Sequence, residues 1–152
     1  METIFEIQMG EMAVGKGGDI LAASGIGSCV AVTLYDAKCK IGALAHAMLP
    51  SRRLRDKPPD ARYVDMAIDA MLEKMQAQGA RKEDMEAKLV GGSNMFAAFE
   101  PNESIGKKNI ASAKEGLKKH GIPVAGECVG GSQGRSVEFS IATGIVTVKT
   151  KF

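Results

Sequence analysis

The chain has 152 residues, a formal net charge of +2 and 25% charged residues, enough length for one domain over residues 1–152 with a real hydrophobic core and too little charge imbalance for a polyelectrolyte partner. Aromatic residues make up 5% with no tryptophan, which argues against a base-stacking nucleic-acid surface, and three cysteines, an odd number, argue against a disulfide framework. No charged segment followed by an apolar one opens the chain, and no apolar run nears the roughly 20 residues a membrane span needs, so the expectation is a reducing cytoplasm with no membrane insertion.

Residues 4–14 alternate loosely and predict one or two short strands, followed by a turn at residues 15–18. Residues 20–23 predict a short apolar strand, and residues 24–28, Ser-Gly-Ile-Gly-Ser, a glycine-rich bend. Residues 28–36 read as a strand, Ala37 and Lys38 as its turn, and residues 39–50 as the return strand. Val30, Val32 and Leu34 then share one face with Ile41, Ala43, Ala45 and Leu49. Cys29 and His46 fall on the other. If Asp36 faces Cys39, this register sets Cys29 directly opposite His46, where Cβ atoms lie roughly 4.5–5.5 Å apart.

Residues 51–60 form a basic, proline-containing loop carrying Arg52, Arg53, Arg55 and Lys57, read as a solvated surface. Asp60 is the candidate N-cap of a helix whose stripe is Val64, Ala67, Ile68, Met71, Leu72 and Met75, closing near Gly79. The methionines read as core filler. Residues 88–90 predict a strand entering Gly91-Gly92, and residues 93–103 a loop holding Met95, Phe96 and Phe99. Ser104 is placed to cap a second helix over residues 105–120, with Gly121 as its stop. Strands are expected at residues 122–129, 136–141 and 145–151, with turns at 130–134 and at Thr143-Gly144. The order predicts an α+β fold, mostly antiparallel sheets with two main helices packed against them.

A thiol held against an imidazole is the minimal nucleophile–base pair for covalent catalysis. Cys29 follows Gly27-Ser28, so its backbone can turn at low cost, and its amide with a neighbouring one can hold an oxyanion. His46 then accepts the thiol proton, an ion pair that would lower the thiol pKa. Ser24, Thr33 or a backbone carbonyl are the candidates to orient the imidazole through its other nitrogen. No C-x-x-C or H-x-x-x-H spacing supports zinc, so no metal is expected. His120 at a helix end reads as a partner of the helix dipole. Gly130-Gly-Ser-Gln-Gly-Arg135 lacks the ending of a phosphate loop and reads as a hairpin turn, with Arg135 anchoring it or facing a partner.

Gly27-Ser-Cys-Val-Ala-Val32 and Gly42-Ala-Leu-Ala-His-Ala-Met-Leu-Pro50 together resemble the CheD family, chemoreceptor glutamine deamidases of bacterial and archaeal chemotaxis. The resemblance continues through Gly91-Gly-Ser-Asn-Met-Phe96, Ile105-Gly106 with Asn109, and Gly130-Gly-Ser-Gln-Gly-Arg135, and so covers nearly the whole chain. It implies an α/β sandwich that converts selected glutamines of receptor cytoplasmic helices to glutamate without a cofactor. Some members also hydrolyse receptor methyl esters. By position Cys29 matches the nucleophile and His46 the base; Gly27, Ser28 and Ser24 are the support residues read from the sequence itself. The family often carries threonine six residues before the nucleophile, as a third catalytic member. Here that residue is Ala23, whose side chain forms no hydrogen bond. The resemblance also implies a partner, the CheC phosphatase, and so a rival reading in which the chain chiefly regulates CheC. A third reading is a different cysteine amidase or peptidase.

Overall fold

The computed structural model describes residues 2–51, 60–94 and 104–151. Nine strands and two helices occur in these residues: β1 (Thr3–Glu6), β2 (Met12–Lys16), β3 (Asp19–Ile26), β4 (Val30–Asp36), β5 (Ile41–Ala47), α1 (Val64–Ala77), β6 (Met85–Gly91), α2 (Ile105–Lys119), β7 (Val124–Val129), β8 (Gly134–Ser140) and β9 (Val146–Lys151). One sheet has the order β1-β3-β8-β9 and the other β2-β5-β4-β6-β7. Only β1–β3 and β6–β7 pair in parallel. The α+β sandwich expected from the sequence is therefore the architecture found.

Sequence alternation on β4 and β5 decides how the layers stack. Val30, Val32, Leu34, Ile41, Ala43, Ala45 and Ala47 face the helices and pack with the α1 stripe and with Ala113 and Leu117 of α2. Cys29, Ala31, Tyr35 and Leu44 face the opposite way and pack against Leu21, Ala23, Ile26, Val137 and Phe139 of the first sheet. The central sheet is thus buried on both faces. Tyr35 crosses the gap edge-on to Phe139, centroids 5.7 Å apart, and its hydroxyl donates to the Ile141 carbonyl at 2.8 Å. Gly42 makes room for this contact, since a Cβ there would lie 2.9 Å from the Phe139 ring.

Several boundaries differ from the sequence expectation. The β4–β5 connection has four residues, 37–40, because Asp36 pairs with Ile41. The Asp36 carboxylate accepts from the amides of Lys38 and Cys39, and Lys40 takes a positive φ of 54°. An Asx-type turn has replaced the two-residue turn. β3 does not stop at Ala23 but runs to Ile26 with a register shift between Ala23 and Ile26, and Gly25 adopts φ 66° there. Leu49 lies beyond β5 and is exposed. Asp60 does not cap α1: the N-cap is Tyr63, whose side chain makes no capping bond, and the Asp60 carboxylate binds Arg62 instead. Six buried apolar side chains still form the helix. At roughly 1.5–3 kcal/mol for each large one, they outweigh a cap of about 1 kcal/mol. Ser104 does cap α2, accepting from the Lys107 amide at 3.2 Å. The basic cluster Arg52, Arg53, Arg55 and Lys57, and Met95, Phe96 and Phe99, lie outside the described residues.

Candidate active site

The register of β4 and β5 sets the first relationship. Ala31, not Cys29, stands opposite His46. The longer turn has moved the pairing by two residues. A shift of two preserves the face, so Cys29 still shares the side of the sheet with His46, but diagonally, where neighbours stand about 7–8 Å apart between backbones and less between side chains. The direct opposition expected from the sequence is therefore corrected to a diagonal one. Both side chains are buried in the layer between the two sheets, His46 at 1% exposure and Cys29 at 8%.

His46 has a defined tautomer. Its Nδ1 lies 3.2 Å from the Ile7 carbonyl oxygen. A carbonyl only accepts, so Nδ1 carries the proton and donates, leaving Nε2 as the basic nitrogen. Nε2 is buried with no hydrogen-bond partner among the described residues. A backbone carbonyl thus does the orienting. Ser24 is exposed and donates to Glu6 at 3.0 Å, while Thr33 donates to the Lys88 carbonyl at 3.4 Å. Ala23, 1% exposed, packs in the same apolar cluster as Ile7 and Cys29.

Burial pushes the Cys29 thiol up, against a smaller opposing effect of its own backbone amide. Burial pushes the His46 imidazole down, opposed by the Ile7 carbonyl and the Glu6 charge. Both directions favour thiol and neutral imidazole, which corrects the expected resting ion pair and its lowered thiol pKa. A thiol beside a neutral imidazole can become a nucleophile only by passing its proton at the moment of attack.

The loop bearing the thiol is held by its carbonyls. Gly27 O accepts from the Ser93 amide at 2.9 Å, Cys29 O from the Gly92 amide at 2.7 Å, and Ser28 O from Nδ2 of Asn109 at 2.8 Å. Among the described residues, the amides of Ser28 and Cys29 take no part in the loop's backbone–backbone bonds, and the Cys29 amide lies against its own thiol. Amides so placed beside a buried sulfur can receive a developing negative oxygen. The close approach depends on glycine: Gly91 has φ 110°, and a Cβ on it would lie 2.4 Å from Cys29 O. Arg135 anchors the far side, Nη1 to the Gly91 carbonyl at 3.3 Å.

Ile7 and Asn109 had no assigned role at the sequence level. Any residue supplies a carbonyl, so nothing in the sequence marks Ile7. Asn109 does leave a trace, since it stands with Ala113 and Leu117 on the buried stripe of α2. His120 binds Asp69, Nε2 to Oδ1 at 2.9 Å, far from the thiol in the chain and on the helical side. That hydrogen bond borders a groove of about 410 Å³ between the helices, which includes neither Cys29 nor His46. Among the described residues, no group of three or more His, Cys, Asp or Glu side chains is placed to hold a metal ion, and no helix is long and apolar enough to cross a membrane.

Residues 48–150 match the family model described as CheD chemotactic sensory transduction. The chain belongs to the CheD family. It is 42% identical to a probable chemoreceptor glutamine deamidase CheD of Methanococcus vannielii, over 96% of this chain and 94% of that protein. A protein of the same name from Pyrococcus abyssi is 40% identical over 95% of this chain and 90% of its own length. A probable chemoreceptor glutamine deamidase CheD 2 of Geobacter metallireducens is 38% identical over 98% and 94%. The matched model begins just after β5, whereas these relatives align across the segment holding Cys29 and His46.

Proposed function

We propose that residues 1–152 form one deamidase domain that hydrolyses glutamine side chains of chemoreceptor cytoplasmic helices to glutamate in the cytoplasm. The names of the relatives support the substrate and reaction class. The observation that carries the chemistry is His46, its Nδ1 proton given to Ile7 and its Nε2 lone pair unpartnered on the face that Cys29 shares.

Nε2 takes the thiol proton as Cys29 sulfur bonds to the carboxamide carbon, and the carbonyl oxygen becomes an oxyanion facing the amides of Ser28 and Cys29. The imidazolium returns that proton to nitrogen, the C–N bond breaks, and ammonia leaves a thioester. Water attacks the thioester carbon, giving its proton to Nε2, and collapse releases glutamate and the thiol. Gly27 ties the loop to Ser93 through its carbonyl; Ser24 sits at the edge, tied to Glu6.

The test is intact mass of a receptor cytoplasmic fragment incubated with the protein. Each converted glutamine adds about 1 Da, NH₂ giving way to OH through the acyl intermediate. Conversion is expected to vanish in Cys29→Ala; conversion that persists overturns the assignment. Pairing with CheC belongs to the same proposal. A protein that stimulates CheC but leaves every receptor glutamine intact would be a regulator and not a deamidase.

A further inference from the structure

We infer that Asn109 is a positioning residue that aims the Cys29 amide at the reacting oxygen, an inference that rests on Cys29 performing acyl transfer. Asn109 is fully buried on α2, and its Nδ2 donates both to Ser28 O at 2.8 Å and to Met48 O at 3.0 Å. Two carbonyl acceptors fix the orientation of the side-chain amide, because Oδ1 could satisfy neither. One group thus joins the thiol loop to the strand end two residues beyond His46.

The geometry of the peptide bond converts this grip into a function. In a trans peptide the carbonyl and the following N–H point in opposite directions within one rigid plane. Holding Ser28 O toward α2 therefore turns the Cys29 N–H away from α2. The neighbouring planes are set by backbone donors, Ser93 N to Gly27 O and Gly92 N to Cys29 O. Only the Ser28–Cys29 plane depends on a side chain. That plane carries the amide closest in sequence to the sulfur.

Asn109 Oδ1 is buried with no hydrogen-bond partner among the described residues. That idle acceptor costs free energy, which the two Nδ2 bonds to Ser28 O and Met48 O offset. α2 itself is seated tightly at this point, since a Cβ on Gly106 would lie 2.4 Å from Ser93 O. The helix, the Gly92–Ser93 segment and the thiol loop form one braced unit, and Asn109 supplies the contact that selects the peptide's orientation.

The test compares two reactions of one sulfur. Acylation by 4-nitrophenyl acetate passes through a tetrahedral oxyanion; alkylation by iodoacetamide does not. Each is followed in wild type, Asn109→Ala and Asn109→Ser, with Cys29→Ala as baseline and peptide mapping to assign the label. Acylation is expected to fall about 100-fold in Asn109→Ala, the usual cost of an oxyanion donor, while alkylation stays within about threefold. Equal losses in both reactions, unchanged acylation, or no Cys29-dependent acylation in wild type would each overturn the inference. Should neither variant fold, the wild-type protein decides: both Asn109 side-chain amide protons are expected to resist solvent exchange, and rapid exchange refutes the clamp. A wild type that acylates but deamidates no receptor fragment would refute the substrate while leaving this ratio readable.

Discussion

The imidazole of His46 is oriented by the main chain of Ile7, Nδ1 lying 3.2 Å from the carbonyl oxygen. The oxygen that fixes the imidazole comes from the segment between β1 and β2, and Ile7 is itself secured by its amide, which donates to Ala22 O at 2.7 Å. A support made of backbone cannot be removed by a side-chain substitution, so the orientation of the imidazole is independent of the residue at position 23.

Restoring a hydroxyl at that position should therefore add little. Ala23→Thr is expected to leave kcat/KM for receptor deamidation within about threefold of the parent. Because Ala23 is buried in a packed cluster, the larger side chain should also cost about 1–3 kcal/mol of stability. Steady-state kinetics and urea unfolding of the same variant check both. A rise in turnover of tenfold or more would mean that Ile7 does not suffice.

The two shifted groups make opposite demands on pH. Burial raises the Cys29 thiol, so its alkylation rate should keep climbing at pH values where a free thiol, near 8.5, has levelled off. Burial lowers the His46 imidazole, which stays neutral and basic until the pH falls below its ordinary 6.5. The acid limb of deamidation is expected below that value. His46→Ala should cost about 100-fold or more in kcat at neutral pH. Because the folded imidazole binds its proton less readily than the unfolded one, its neutral form supports the fold above pH 6.5, and stability declines as the pH falls toward the lower folded value.

Gly91→Ala should be strongly destabilising. Its φ of 110° strains any L side chain, and the new Cβ would strike the Cys29 carbonyl. We expect a loss of at least about 2 kcal/mol in urea unfolding. In whatever fraction remains folded, reduced alkylation of Cys29 should mark the displaced loop.

Asp36 sits under the β4–β5 turn, 1% exposed. Burial alone would raise its carboxyl, but the Arg81 amide, the Cys39 thiol and the amides of Lys38 and Cys39 together outweigh it and hold it below the usual carboxylate range. Its folded pKa lies under the unfolded one, so its contribution is complete above about pH 3.9 and is lost as the pH falls through the folded value. Asp36→Ala should remove about 1–3 kcal/mol at pH 7, with the gap to the parent shrinking in acid. Unfolding curves at pH 7 and pH 3 test the sign.

Much of this molecule could be read from its residues because burial follows period. The α1 stripe and the two faces of β4 and β5 come from patterns that solvent exclusion enforces directly, and the Ser104 cap from a hydroxyl that meets an orphan amide at a helix start. The register did not come the same way. A shift of two residues exchanges Cys29 for Ala31 opposite His46 without moving any side chain to the wrong face, so alternation is blind to it. Only the Asp36 carboxylate, gathering amides from Lys38, Cys39 and Arg81, lengthens the turn and sets the pairing. The thiol pKa escapes sequence for a related reason: pairing chemistry can be seen in residue types, whereas burial of Cys29 depends on a second sheet closing over it.

The donors that grip residues 27–29 come from positions 92, 93 and 109, the last of them 81 positions after Ser28. A chain still being synthesised cannot build this loop until most of its length exists, and contacts so distant in sequence form late. Before that moment the sulfur is an ordinary cysteine. On the proposed chemistry, acyl reactivity of Cys29 requires the assembled loop, and a half-formed chain would lack it.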